Sequence, residues 1–238
     1  MRTIDINLIT GKKESGKSFF TKNVIFKFKR IICWDYNHEH TGDFITTDLK
    51  QIVPAFYSGK NHIIYRPLTK TESQLNQFCG EVLKCNNLMC IIEEAPIFFT
   101  SWANRTMPNA KALVDTGRFQ GAGLTVTARR ILKLAVDIPY NADNIIIFKM
   151  ERPQDKKYLA EYVGLDVKEF SNRMDNLKEY GFMWYNGSEL YDMEPIKADK
   201  GKGTQSINSS NANISVKNVS QKDIKVDMNV RRTQIKKS

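Results

Sequence analysis

Apolar residues fall along the first 149 positions in two alternating patterns: short unbroken runs, and longer stretches that repeat every three to four residues. Ile4-Asp5-Ile6-Asn7-Leu8-Ile9 alternates and then closes up, which predicts a first strand over residues 4–9. Residues 16–28 place Phe20, Val24 and Phe28 on one helical face. The runs at 31–34, 62–65, 88–92, 124–128 and 145–148 read as further strands. Between them, residues 48–57, 72–84 and 110–120 have helical spacing, with Leu75, Phe78 and Val82 sharing a face in the second of these. Strands alternating with helices predict an α/β chain built on a mostly parallel sheet flanked by helices on both faces.

The pattern changes after Met150. Two helices follow, over 155–163 and 167–180. Two apolar runs, 182–185 and 189–191, then flank Asn186-Gly187, a strong hairpin signal. From Pro195 onward there is no aromatic residue and much Ser, Asn and Gly. Such a segment buries too little surface to offset its ordering entropy, so 195–238 is predicted to be a flexible, disordered tail after a domain spanning 1–194.

Charge sharpens that division. The chain of 238 residues has a formal net charge of +10. The tail holds ten of the Lys and Arg residues against three Asp, so the body is nearly balanced. The tail cations, Lys197, Lys200, Lys202, Lys217, Lys222, Lys225, Arg231, Arg232, Lys236 and Lys237, are spaced to suit sequence-independent contact with nucleic-acid phosphates. A solubilising or docking role suits them equally. No run of 18 or more apolar residues is present and the first residues lack a secretory apolar core, so neither membrane insertion nor export is expected. Cys33, Cys79, Cys85 and Cys90 form no CxxC pair and read as reduced core thiols of a cytoplasmic protein.

The chemistry begins at Gly11-Lys12-Lys13-Glu14-Ser15-Gly16-Lys17-Ser18, a G-x-x-x-x-G-K-S phosphate loop (Walker A) between a strand and a helix. The glycines let backbone N–H groups turn inward around phosphate oxygens, and the following helix adds its positive end. Lys17 is placed to reach the β- and γ-phosphates, and Ser18 to offer a hydroxyl to Mg²⁺. The strand at 88–92 ends in Glu93-Glu94, which brings two carboxylates to the sheet edge where ligands bind in such folds. One of them can hold Mg²⁺, directly or through water, and the other can orient or deprotonate the attacking water. Asp35 ends the second strand at the same edge and either helps there or caps a turn. His38-Glu39-His40 lacks a third nearby ligand and is not read as a metal site.

Gly117-Arg118-Phe119-Gln120-Gly121 leads into a strand that ends at Ala128-Arg129-Arg130, and Ala142-Asp143-Asn144 precedes the last core strand. With the phosphate loop and the paired glutamates, these segments resemble the FtsK/HerA superfamily of DNA-pumping ATPases. Within it the chain looks most like the genome-packaging ATPases of tailless, internal-membrane-type DNA viruses. The resemblance covers residues 4–149. Glu93 stands where that family usually has its metal-holding Asp, so the resemblance implies Glu93 for Mg²⁺ and Glu94 for the attacking water; Arg129 stands where the family has Gln, and Ile131 where it has Pro.

The resemblance implies ATP as nucleotide, Mg²⁺ as its ion and double-stranded DNA as cargo. It implies a homo-hexameric ring with nucleotide between subunits, and a capsid or vertex protein as a further partner. Arg118 is then the first candidate for an arginine completing a neighbour's site, with Arg130, Arg129 and Arg105 after it. Arg129 and Arg130 are also candidates for sensing the γ-phosphate or facing DNA. Other readings of the phosphate loop stay open: a virion or pilus assembly ATPase of the filamentous-phage type, a small P-loop kinase, and a nucleotide-gated DNA adaptor without turnover.

Overall fold

A computed structural model describes residues 1–99 and 106–197, together with two short strands at Ile214–Val216 and Val226–Met228. Its centre is a nine-stranded sheet in the order β3-β4-β2-β5-β6-β1-β7-β8-β9. The strands are β1 Ile6–Thr10, β2 Ile31–Trp34, β3 Phe44–Thr46, β4 His62–Tyr65, β5 Leu88–Ile92, β6 Ala122–Ala128, β7 Asn144–Phe148, β8 Phe182–Tyr185 and β9 Leu190–Met193. β1 to β7 run parallel, and β8 and β9 add an antiparallel hairpin at one edge. The mostly parallel sheet predicted from the apolar pattern is therefore present.

The unbroken apolar strands follow from covering the sheet on both faces. In β1, Leu8 joins a cluster with Trp34, Phe78, Ile92, Val126 and Ile147 on one side. Ile9, its neighbour, joins Phe20, Ile31, Ile91, Ile146 and Phe148 on the other. The helices are α1 Lys17–Asn23, α2 Ile52–Tyr57, α3 Glu72–Val82, α4 Pro108–Thr116, α5 Asp137–Asn141, α6 Pro153–Tyr162 and α7 Val167–Asp175. All four cysteines are free and buried, and burial pushes each thiol above its ordinary range, so they are inert packing groups.

Several bounds differ from the pattern. α1 stops at Asn23 rather than 28; the β-branched pair Val24-Ile25 turns the chain into a 3₁₀ turn, and Phe28 leaves extended. α7 is capped by Asp166, which accepts from the N–H groups of Lys168 (2.8 Å) and Glu169 (3.3 Å). It ends at Asp175 rather than 180, and Tyr180 then takes a left-handed φ of 58° at the entry to β8. β3 was not expected, because three residues make too short a run to show a period. In the basic segment where no regular structure was expected, β10 (Ile214–Val216) and β11 (Val226–Met228) pair antiparallel, three of their residues being β-branched Ile or Val. The rest of that segment beyond Lys197 lies outside the described residues, as does Arg105. No helix among the described residues is long and apolar enough to cross a membrane.

Candidate nucleotide site

In a parallel sheet every strand exits at the same edge, so the segments after β1, β5 and β6 meet there. The sheet order puts β6 between β1 and β5. Residues 11–18 follow β1, Glu93-Glu94 follow β5, and Arg129 follows β6. A cavity of about 390 Å³ opens between them, lined on the loop side by Lys13, Glu14, Gly16, Lys17 and Ser18 and facing Glu93, Glu94, Thr127 and Arg129.

The loop's shape is set by its glycines and by Phe148. Gly11 has φ 151° and Gly16 has φ 110°, and a Cβ on Gly11 would lie 2.6 Å from the Phe148 Cβ. A Cβ on Gly16 would touch the Phe148 ring at 3.0 Å. The backbone is tied to both neighbouring strands: Gly11 N donates to Ala128 O (3.2 Å) and Lys12 N to Lys149 O (2.9 Å). Lys12 also pairs with Glu151 (2.9 Å) and Lys13 with Glu14 (3.4 Å), both exposed contacts. The Ser15 hydroxyl is buried with no partner. Ser18 is exposed and lines the cavity.

Lys17 is buried and curls back on its own loop, donating to Gly11 O (2.8 Å) and Lys12 O (2.6 Å). Burial lowers its pKa to about 8, opposed by the Glu94 carboxylate and reinforced by Arg129. Below pH 8 the free protein already carries the ammonium; above it, binding a polyphosphate must take up a proton. Triphosphate affinity is therefore expected to be flat below pH 8 and to weaken by up to about tenfold per pH unit above it. Calorimetric titrations with a non-hydrolysable ATP analogue from pH 6.5 to 9.5 measure this, and an unchanging affinity would refute the assignment.

The two glutamates are held differently. Glu93 is buried, with Oε1 2.7 Å from His40 Nε2 and Oε2 without a protein partner. Glu94 has a left-handed φ of 51°, its N–H donates to Thr127 Oγ1 (3.0 Å), and its Oε1 accepts from Arg129 Nε at 2.7 Å. Glu93 is thus a fixed acceptor with a free oxygen, while the Glu94 carboxylate is held by one half-exposed arginine at the cavity wall. The unmatched oxygen of Glu93 and the Ser18 hydroxyl fit a hard cation such as Mg²⁺, which takes oxygen ligands.

Asp35 caps the turn after β2, accepting from Glu39 N (2.8 Å) and His40 N (3.3 Å), and pairs with Arg66 Nε (3.3 Å). Arg66 also donates to His40 O (2.9 Å), and Phe26 stacks on the His40 ring with centroids 4.5 Å apart. Of the His38-Glu39-His40 run, only His40 turns inward, where its ligand atom lies within 4.8 Å of those of Asp35 and Glu93. The cation of Arg66 beside Asp35 makes this an ion-paired brace on Glu93. Local spacing could not reveal it, because the two partners are 53 residues apart.

Two predicted arginines are not in the cavity. Arg118 lies before β6, at the opposite edge of the sheet, 3.4 Å from both Asn141 O and Asp143 Oδ2. It is half-buried there and cannot serve its own chain's phosphate loop. Arg130 follows Arg129 but turns to Asp155, 3.8 Å away at the start of α6. Tyr180, which lines the cavity from the turn before β8, was not expected at all.

No protein-family model matches the chain, and no curated protein matches it. Solved structures do. The genome-packaging NTPase B204 from Sulfolobus turreted icosahedral virus 2, in complex with AMPPCP, is 21% identical with a TM-score of 0.71, over 82% of this chain and 100% of that one. B204, the DNA-packaging ATPase from Sulfolobus turreted icosahedral virus, is 24% identical with a TM-score of 0.65, over 83% of this chain and 100% of that one. VirB4 of Thermoanaerobacter pseudethanolicus is 10% identical with a TM-score of 0.61, over 81% of this chain and 89% of that one. The two viral proteins are named as a packaging NTPase and a packaging ATPase, and this chain shares the P-loop α/β fold of these neighbours.

Proposed function

We propose that this chain hydrolyses ATP and uses the energy to move double-stranded DNA, as in packaging a viral genome into a preformed capsid. The observation that carries the reading is the convergence of the phosphate loop, Glu93-Glu94 and Arg129 on one cavity. The structural neighbours named as packaging ATPases support its direction.

Lys17 leaves the carbonyls of Gly11 and Lys12 and takes the β- and γ-phosphates, alongside the loop N–H groups and the N-terminal end of α1. Ser18 and Glu93 would hold Mg²⁺, which when bound offsets charge on the phosphate oxygens. Glu94 orients the attacking water and accepts its proton once Arg129 swings from the carboxylate to the γ-phosphate. Arg118, distant from its own loop, is assigned to a neighbouring subunit's site in a hexameric ring. An arginine supplied in that way is worth about 10³–10⁵ in rate, since it meets charge that develops in the transition state. The basic segment beyond Pro195 supplies contacts to DNA phosphates, and a capsid or vertex protein is the remaining partner.

ATP turnover of the full chain, measured with and without double-stranded DNA across a salt series, tests this. Turnover is expected to rise with DNA at low salt and to lose that gain as salt displaces phosphate contacts. Turnover indifferent to DNA at every salt would remove translocation from the reading and leave a bare ATPase.

A further inference from the structure

Beside the phosphate cavity lies a second one of about 370 Å³, lined by Gly16, Phe19, Phe148, Tyr180, Pro195 and Ile196. The two cavities share Gly16, Phe19 and Tyr180, so they adjoin at the loop. Phe19 is 40% exposed and Tyr180 54% exposed, and both rings face solvent beside the phosphate loop. Tyr180 is also held in the left-handed region, where a bulky side chain is strained, and Gly181 lets the chain pass close to Met193 O directly after it. Strain kept at an exposed ring, where it packs no core, points to a task for that ring.

We propose that this second cavity takes the nucleotide's base, stacked against Tyr180, and that it accepts purines without telling adenine from guanine. The inference rests on the phosphate-loop reading above and extends it to the base. Its volume lies within the range of about 300–1,000 Å³ usual for small-ligand pockets. Among the described residues the lining carries no amide, carboxylate or cationic side chain, and the Tyr180 hydroxyl is their one side-chain hydrogen-bonding group. Strong discrimination needs polar groups that are left unpaired by the wrong ligand; an apolar slot discriminates weakly. Stacking on an aromatic face tolerates any base and favours the larger purine surface.

Binding of ATP, GTP, UTP and inorganic tripolyphosphate to the full chain, its Tyr180→Ala variant and its Tyr180→Phe variant decides the matter. ATP and GTP are expected to bind within about threefold of each other, with UTP weaker. Tyr180→Ala is expected to weaken ATP by about tenfold or more while leaving tripolyphosphate unchanged, and Tyr180→Phe to restore ATP. A hundredfold preference for ATP over GTP, or ATP binding unmoved by Tyr180→Ala, would overturn the proposal. Loss of ATP and tripolyphosphate together in Tyr180→Ala would also overturn it, since Tyr180 would then support the loop. A native chain that binds neither ATP nor tripolyphosphate removes the phosphate-loop reading and this one with it.

Discussion

Lys17→Ala is expected to lose two to three orders of magnitude in triphosphate affinity, and with it all measurable turnover. Removing one member of a buried charge pair costs about 2–5 kcal/mol, most of it from the charge left unpaired. In the free protein the ammonium is met by two loop carbonyls, Gly11 O and Lys12 O, and is desolvated enough to lower its pKa to about 8. A desolvated cation contributes little to the free fold, so the nucleotide-free variant should melt close to the native chain. The difference appears on adding ATP. The native melting temperature rises with ligand concentration by linkage, and that of the variant stays still. A variant that melts normally and is still stabilised by ATP would show that Lys17 is not the phosphate-binding cation.

Glu94→Gln separates chemistry from binding. Turnover is expected to fall by about 10²–10⁴, the usual contribution of a positioned general base, with ATP still bound. The geometry favours Glu94 over Glu93 for this role. Glu93 is sealed against His40 at 2.7 Å, whereas Glu94 sits at the cavity wall and is held by Arg129, which is half-exposed. The amide of Gln keeps the shape and an acceptor oxygen for Arg129 but cannot take a proton at neutral pH. Single-turnover measurements alongside nucleotide binding distinguish the outcomes. Unchanged turnover in Glu94→Gln would move the base elsewhere, and a native chain that binds ATP without turning it over would point to a nucleotide-gated adaptor.

Much of the site was legible because its chemistry is local. Residues 11–18 are contiguous, and Glu93-Glu94 are placed by the strand that ends just before them. What was not legible depends on pairs distant in sequence. His40 looked like part of a failed metal run because its partner is on another strand, and Tyr180 is brought to the loop only by the hairpin's docking beside β7. Arg118 is a different case. It precedes β6, and in a parallel sheet a residue before a strand lies at the edge opposite a residue after one, so strand direction alone already separated it from Arg129. The elements were clearest where apolar runs were long. The three residues of β3 and the β-branched break at Val24-Ile25 carry too little period to read.

The position of β6 between β1 and β5 also bears on how the chain acquires its fold. β1 finds its partners far along the chain: Asn7 meets Thr125 across 118 residues and Asn144 across 137. Each such pairing closes a long loop before any contact rewards it, and topologies of this kind fold slowly. The phosphate loop is written near the start of the chain, yet its anchors, Ala128 O and Lys149 O, arrive more than a hundred residues later. During synthesis at about 5–20 residues per second, the loop stays without its strand neighbours for roughly 6 to 27 seconds. On the proposed function, a nascent chain is therefore expected to gain affinity for nucleotide only after β7 has emerged and docked, with ATP then favouring the completed sheet.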